Sequence, residues 1–349
     1  MKFLKSVVCL IPICLLSSHV SATEVYNSDG FALNIGGLFE PRMQYNSVIK
    51  ERDDQSTTDL TQSRLNVGIN QQISDGIKAI AFREDEWGVW GYELRHMYGG
   101  FDIKNHRIIY GKAAGSMGVV TGQTDFLPTY GNRLGSKINT ADREKNNLVY
   151  LGRFYGGKWR IKAHYNGGGT MVKNAANRYL GYDPLDKDIM GNVDIGYGFA
   201  TDYVFNYNFK AALGYSYEEL RNIRGTEAND GTLPGGLVKG GSAINDQAHA
   251  SIRYRSKSMM LAGLVVNGRG LSQRYFGFEV AARYNITPKL LIGASYTVNK
   301  FDDMWEAGER ADISMGYNFT PRINAYVGYS KTLSHNKLEL ARVGMKFRF

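Results

Sequence analysis

Much of the chain after residue 22 alternates apolar and polar residues in short segments separated by turn residues. This period of two is that of a β-strand, because successive side chains of a strand point to opposite faces of its sheet. In residues 341–349, for example, Val343, Met345 and Phe347 share one face. The same alternation recurs in residues 276–284, 289–298 and 323–329. Because helical periodicity is almost absent, the pattern predicts an all-β protein.

This alternation fits two architectures. In a soluble sandwich the apolar faces pack inward, whereas in an outer-membrane barrel they contact lipid and the polar faces line a wet lumen. Three features favour the barrel: aromatic residues lie at strand ends, Arg and Lys are frequent on the polar faces, and short connections alternate with long ones. We therefore expect a transmembrane antiparallel β-barrel of about 16 strands.

The connections between the predicted strands differ in length. The short ones are residues 74–76, 155–157, 206–208, 255–257, 285–288 and 318–321. The long ones are residues 48–58, 167–190, 220–245 and 301–309. Short turns at one end and long loops at the other are typical of an outer-membrane barrel. A further connection, residues 112–146, is too long for a turn. Pro41 lies inside the first predicted strand, where its missing N–H group marks a bulge or the rim of the strand.

The first 22 residues have the pattern of a secretory signal peptide. Lys2 and Lys5 precede an apolar run over residues 7–16, and small residues lead to a predicted cleavage site after Ala22. The alternative is a lipoprotein signal acylated at Cys14, but the residues before that cysteine are not the small ones of a lipobox. We expect a signal peptide over residues 1–22 and a barrel over residues 23–349.

Composition and motifs exclude several other classes of protein. The chain has 349 residues, a net charge of +9 and 43% hydrophobic residues, which is too apolar for a disordered chain. Its positive charge alternates along strands instead of clustering, which argues against a nucleic-acid partner. The histidines lack metal-binding spacing, and the chain has no Gly-x-Ser-x-Gly motif. The sequence therefore predicts no enzyme, no catalytic residue, no metal site and no cofactor.

Three segments resemble the general porins of Gram-negative bacteria. Residues 23–30, Thr-Glu-Val-Tyr-Asn-Ser-Asp-Gly, resemble the start of the mature porins, and the chain ends on Phe349 after an alternating apolar face, as they do. Residues 124–131, Thr-Asp-Phe-Leu-Pro-Thr-Tyr-Gly, resemble the motif of their constriction loop. The resemblance implies a homotrimer in the outer membrane, in which the long third loop, residues 113–145, folds into the lumen of each barrel.

The resemblance also implies a constriction in which basic wall residues face acids on the loop. The matching wall residues are Arg64, Arg95 and Arg143, and the matching loop acid is Asp125. Strand parity independently turns Arg64 inward. The parity that turns Arg95 inward would turn its neighbours His96 and Tyr98 outward, which we expect to be tolerated at a trimer interface.

Two positions depart from the family's pattern. Thr129 stands where the porins have a second loop acid, and Leu38 stands where they have a first-strand Lys. Arg42 has the same parity as Leu38 and partly substitutes for that Lys. Losing one acid shifts the local field toward anions, because two charges about 4 Å apart interact by roughly 4 kcal/mol at an effective dielectric constant of 20.

From these features we expect a passive diffusion channel for small hydrophilic solutes and ions in the outer membrane, with a preference for anions. Its expected partners are outer-membrane lipid, lipopolysaccharide, the solutes, and the barrel-assembly machinery, which would recognise Phe349.

Two alternatives remain open. A substrate-specific channel for a sugar or an anion would need an aromatic ladder along the lumen, for which the candidates are Trp87, Trp90, Trp159 and Trp305. A barrel without a channel could serve as an adhesin or receptor through residues 167–190 and 220–245.

Overall fold

The computed structural model describes residues 22–47, 57–89, 91–132, 134, 137–172, 190–224, 239–271, 273–301, 308–334 and 338–349. Regular structure in these residues is almost entirely β-strand, with a short helix, α1 (Gly118–Thr121), and a 3-10 turn at Tyr155–Gly157. No helix in these segments is long and apolar enough to cross a membrane. The predicted signal peptide lies outside the described residues except for Ala22.

The strands are numbered in chain order. The first ten are β1 (Thr23–Ser28), β2 (Phe31–Glu40), β3 (Arg42–Asn46), β4 (Thr57–Asp59), β5 (Gln62–Ser74), β6 (Ile77–Gly88), β7 (Gly91–Ile103), β8 (His106–Ala114), β9 (Arg143–Phe154) and β10 (Trp159–Asn166). The others are β11 (Met171–Val172), β12 (Met190–Val204), β13 (Phe209–Arg224), β14 (Ala243–Arg255), β15 (Met259–Gly270), β16 (Gln273–Asn285), β17 (Leu290–Phe301), β18 (Gly308–Asn318), β19 (Ile323–Thr332) and β20 (Glu339–Arg348).

These strands form one closed antiparallel barrel. The segments β2 and β3 are two halves of the first wall strand, β4 and β5 make up the second, and β1 and β11 are short additional segments. The wall therefore has sixteen strands, which confirms the predicted fold class. The ring closes where β20 pairs with β2 and β3, so that Phe347 lies opposite Phe39 and Ala341 opposite Tyr45.

The region where β20 pairs with β2 and β3 is called the seam below. Backbone hydrogen bonds near both ends of the chain complete it. The N–H group of Gly37 donates to the carbonyl oxygen of Phe349 at 2.9 Å, and the N–H group of Phe349 donates back at 3.2 Å. Pro41 separates β2 from β3, and its carbonyl oxygen accepts the N–H group of Met345 at 3.0 Å. Pairing the first and last strands satisfies backbone groups that lipid could not.

The two faces of the wall differ in chemistry. Large apolar side chains are exposed on the outer face, including Val280 at 50% and Ile313 at 60%. Polar side chains on the inner face are buried, including Glu218 and Glu279, both at 0%. This arrangement fits a barrel with lipid outside and polar groups inside, and it excludes the soluble sandwich.

The connections between strands differ in length between the two ends of the barrel. At the end that we call the short-turn end, strands are joined by residues 29–30, 75–76, 104–105, 155–158, 205–208, 256–258, 286–289 and 319–322. Most connections at the other end are longer, as predicted, but residues 89–90 and 271–272 are short connections at that end. Much of the length of the longer ones, residues 48–56, 173–189, 225–238 and 302–307, lies outside the described residues.

We predict that Gly37→Ala destabilises the barrel. A Cβ atom at this outward-facing position would lie 2.6 Å from a ring carbon of Phe349 and 2.7 Å from the carbonyl oxygen of Arg64, so the seam would have to shift. Gly263 is a matched control, because the nearest atoms to its added Cβ atom are 4.0 Å away. Overpacking costs about 1–3 kcal/mol, so the midpoint of urea unfolding in detergent should fall for Gly37→Ala alone. Equal midpoints for the two variants would contradict this role of the seam.

Candidate functional site

The connection from β8 to β9, residues 115–142, lies along the inner face of the wall. It begins beside β10, where the N–H group of Ser116 donates to Nδ1 of His164 at 3.0 Å. The helix α1 then reaches β14, where the hydroxyl group of Ser251 donates to the carbonyl oxygen of Val120 at 3.0 Å. Both wall side chains are buried on the inner face. The first part of the loop, from residue 115 to residue 131, is called the outgoing arm below. It follows the wall instead of projecting away from the barrel.

Glycines in the wall make room for the next part of the outgoing arm. Three loop residues each pack on a wall glycine: Leu127 on Gly293, Pro128 on Gly316 and Thr129 on Gly328. A Cβ atom at Gly316 would lie 3.1 Å from Cγ of Pro128, and one at Gly328 would lie 2.9 Å from Cβ of Thr129. A side chain larger than hydrogen at these positions would require a local shift of the loop or of the wall.

The second part of the loop, from Asn132 to Asp142, is called the returning arm below. Buried carboxylates on the wall hold it in place. Glu279 on β16 accepts the backbone N–H groups of Asn132 at 2.9 Å and Leu134 at 3.2 Å. An ionised carboxylate accepts only hydrogen bonds, and burying it without them is costly. The loop backbone supplies them here, so the carboxylate and the loop stabilise each other.

A second carboxylate, Glu218 on β13, has the same role nearer to β9. It accepts the N–H group of Thr140 at 2.9 Å and the side-chain amide of Asn139 at 2.7 Å. The side-chain amide of Asn245 on β14 also donates to it, at 2.8 Å. The returning arm is therefore fixed to the wall at two separate carboxylates.

An apolar cluster fills the space between the loop and the wall. Its buried members are Met117, Val120, Leu134, Ile138 and Ala141 of the loop and Ala200, Ala212, Leu264, Val266 and Tyr275 of the wall. The inner face of a wet barrel would otherwise carry polar residues here. These apolar wall residues indicate that the loop is a permanent part of the folded barrel.

Two of the predicted wall residues, Arg64 and Arg95, lie together on the inner face, where they share acids. Nε of Arg64 is 2.5 Å from a carboxylate oxygen of Glu86. Arg95 lies 2.8 Å from the same carboxylate oxygen and 2.7 Å from Glu84. Neither acid is among the residues predicted from the sequence, although both have inward parity on β6. Two arginines and two glutamates compensate each other, so this cluster carries no net charge.

The expectation that His96 and Tyr98 face outward is wrong. The register between β6 and β7 shifts by one residue at Arg95, which forms a β-bulge. As a result His96 and Tyr98 lie on the inner face, where their rings are 6.0 Å and 5.4 Å from the ring of Phe82. Both Arg95 and His96 can therefore face inward, and no trimer interface is needed to cover an outward-facing histidine.

Arg143 and Arg42 lie at other places on the wall. Arg143 starts β9 and is 3.5 Å from Asp142. Arg42 lies at the seam, where its Nε donates to the carbonyl oxygen of Leu60 at 2.7 Å and its Nη2 donates to Gln62 at 3.1 Å. The predicted basic residues therefore have different polar partners: glutamates of β6 for Arg64 and Arg95, Asp142 for Arg143, and Leu60 and Gln62 for Arg42.

The two predicted loop residues differ in orientation. Asp125 is exposed, whereas the hydroxyl group of Thr129 is buried where Thr129 packs on Gly328. Thr129 therefore faces the wall. At the loop tip, Nζ of Lys346 donates to the carbonyl oxygen of Pro128 at 3.3 Å, which links the tip to the last strand.

The described tryptophans do not form an aromatic ladder on the inner face. Trp87 is exposed on the outer face, with its ring 5.9 Å from that of Tyr92. Trp159 also faces outward, where it stacks 6.2 Å from Tyr155. The other two candidates, Trp90 and Trp305, lie outside the described residues. The described residues therefore give no support to a substrate-specific channel of this kind.

Comparisons with known proteins agree with this architecture. A model of the Gram-negative porin family matches residues 9–337. Porin-like protein L of Photobacterium profundum is 27% identical over 341 residues, which cover 91% of this chain and 89% of that protein.

Two solved structures share the fold. Salmonella typhi OmpF in complex with daunomycin has a TM-score of 0.73 at 17% identity, covering 94% of this chain and 100% of that one. The trimer form of in-vitro folded OmpT from Vibrio cholerae has a TM-score of 0.67 at 12% identity, covering 92% and 100%. With the family model matching almost the whole chain, this protein belongs to the Gram-negative porin family of the outer membrane.

Proposed function

We propose that this porin is a passive diffusion channel for small hydrophilic solutes and ions, narrowed by residues 113–145. The observation that carries the proposal is a loop fixed across the inner face of a closed barrel by buried carboxylates. A passage through such a barrel is bounded by polar wall residues on one side and by the loop on the other. The proposed transport involves no catalytic step and no cofactor.

We further propose that the channel prefers anions. Residues 113–145 contain three acids, of which Asp142 and Glu144 lie at the end of the loop and Asp125 lies beside its tip. Three wall cations surround the loop tip: Arg283 donates to the carbonyl oxygen of Phe126 at 3.4 Å, Arg342 lies 4.8 Å from the ring centre of Tyr130, and Lys346 donates to Pro128. Lys346 is paired with Glu40 at 3.6 Å, and Arg64 and Arg95 are paired with glutamates. Arg283 has no carboxylate oxygen within 4.0 Å in the described segments, so it contributes most to the proposed preference.

Asp125→Asn should make the channel more anion-selective. In a tenfold potassium chloride gradient, the wild type should give a reversal potential of the anion-selective sign, and Asp125→Asn should move it further in that direction. Glu339→Gln removes an acid of the outer face that is paired with Lys331, and it should leave the potential unchanged. A cation-selective wild type would contradict the proposal. Thr129→Glu is a poorer test, because Thr129 packs on Gly328.

A charged patch on the outer face supports a homotrimer. Arg83 lies 2.7 Å from Asp85, which also accepts the hydroxyl group of Tyr92 at 2.6 Å. Arg83 is the seventh of the 12 residues of β6, so it lies at mid-depth, where an Arg facing lipid costs about 2–4 kcal/mol. The same face carries the small residues Ala79 and Ala81, which permit close approach. We propose that this face of β6 packs against a second copy of the chain.

Asp85→Ala should weaken the trimer, because it leaves Arg83 without its carboxylate in the subunit interface. The temperature at which the trimer band converts to monomer on a denaturing gel should fall by several degrees. Asp246→Ala is the control: it removes the carboxylate of another outer-face pair, Asp246 with Arg269, on strands far from β6. Equal conversion temperatures for both variants, or a monomeric wild type in mild detergent, would argue against this interface.

The remaining proposed partners lie outside the channel. Outer-membrane lipid and lipopolysaccharide would contact the exposed apolar face, and the barrel-assembly machinery would recognise Phe349. Deleting Phe349 should lower the outer-membrane yield in cells more than it lowers folding into lipid vesicles in vitro. Equal losses in the two settings would indicate that Phe349 acts only through its packing on Gly37.

A further inference from the structure

Between the loop and the short-turn end, the inner wall carries a group of basic side chains that we call the basic belt. All of its members have the inward parity of their strands. They are Arg107 on β8, Arg153 on β9, Arg160 and Lys162 on β10, Lys210 on β13, Arg253 and Arg255 on β14, and Arg283 on β16. The belt therefore follows the wall from β8 to β16, whereas Arg64 and Arg95 lie on β5 and β7.

The belt places like charges directly opposite each other. Arg153 is paired in register with Arg160, and Lys210 is paired with Arg253. Like charges in directly opposed cross-strand positions destabilise a sheet. The stability of the fold therefore does not explain why these positions are basic.

Too few acids are present to neutralise the belt. Arg107 lies 2.6 Å from Asp102, and Asp202 is shared by Arg160 and by Lys210, which is 2.7 Å away. Within the segments that the structure describes, no carboxylate oxygen lies within 4.0 Å of the other five cations. These are Arg153, Lys162, Arg253, Arg255 and Arg283. Eight cations and two acids leave the belt strongly positive.

The position of the belt relative to the loop is fixed by two contacts. Ser251 holds the outgoing arm at Val120, and Arg253 lies two residues nearer to the short-turn end on the same strand. Arg283 contacts the loop at Phe126, with its guanidinium 5.9 Å from the ring centre. A solute that passes the loop toward the short-turn end therefore meets the belt next.

We propose that the basic belt binds solutes that carry two or more phosphate groups. Guanidinium groups bind phosphate oxygens through paired N–H donors. Arg253 and Arg283 lie on strands separated by β15, so their backbones are about 10 Å apart. Two linked phosphates can bridge that distance between long side chains, whereas a chloride ion cannot. Because the belt faces the inside of the barrel, lipid phosphates do not reach it and soluble ones do.

This inference rests on the proposed channel, for which it names a class of solute. Inorganic pyrophosphate is the probe. Added from the short-turn side, it should reduce the potassium chloride conductance of the wild type with a saturable concentration dependence. In Arg253→Gln/Arg283→Gln the half-blocking concentration should rise about tenfold or more, since hydrogen bonds to charged groups are lost. The control Lys331→Gln/Arg269→Gln removes two outer-face cations and should block like the wild type.

Calorimetric titration of the detergent-solubilised protein with pyrophosphate separates the two claims. Binding without any chloride conductance would overturn the channel and leave the site standing. Conductance without block and without heat of binding would overturn the site and leave the channel standing. If pyrophosphate blocked both double variants equally, it would bind somewhere other than the basic belt, which would contradict the proposal. Both glutamine substitutions in the belt relieve repulsion between like charges, so the variant barrel should fold, which heat-dependent migration on a gel checks.

Discussion

Two buried carboxylates on the inner wall hold the loop in place, and the rest of the site depends on them. Glu218 and Glu279 would be costly to bury without donors, and the backbone N–H groups of Thr140, Asn132 and Leu134 provide those donors. If the loop moved away from these carboxylates, its backbone N–H groups would lose their acceptors. The apolar wall residues beneath the loop could not replace them. This mutual requirement fixes where the loop runs, and thereby the width of the passage beside it.

The distribution of charge follows from this frame. Near the loop, Arg64 and Arg95 are neutralised by Glu84 and Glu86, so the wall opposite the loop has little net charge. The uncompensated cations start at Arg283, which contacts the loop at Phe126, and continue beyond the loop toward the short-turn end. In a narrow lumen these charges are weakly screened, so they bear on permeating ions over longer distances than surface charges do. The loop therefore restricts the passage sterically, and the cations beside it and toward the short-turn end attract anions.

Features that depend on local periodicity could be predicted from the sequence. The outward face of Val343 and Phe347 and the inward face of Arg64 follow from alternation alone, because side chains in a strand alternate with a period of two. A single bulge defeats this rule, and for that reason His96 and Tyr98 were assigned to the wrong face. A bulge arises where one of two paired strands has an extra residue. The sequence of a single strand does not show where this happens.

Features that depend on register or on distant contacts could not be predicted. The acids Glu84 and Glu86 have visible inward parity, but their pairing with Arg64 and Arg95 requires the relative register of three strands. The orientation of Thr129 depends on a glycine about two hundred residues later in the chain, Gly328, on which it packs. The resemblance to the porins predicts which residues form the loop. Which loop side chains face the passage depends on the wall residues that the loop packs against.

The width of the passage depends on the loop tip resting against the wall in the conducting state. Both cysteines of the chain precede residue 15, so Thr129→Cys/Gly328→Cys in a chain that starts at residue 23 introduces the only pair. A Cβ atom at Gly328 lies 2.9 Å from that of Thr129, close enough for a disulfide after a small displacement. The direct test is the single-channel conductance of this variant before and after oxidation. Because the tip already rests against the wall, we expect complete cross-linking and the same conductance in both states. A large change in conductance on oxidation, or no cross-link, would show that the loop tip lies elsewhere when the channel conducts.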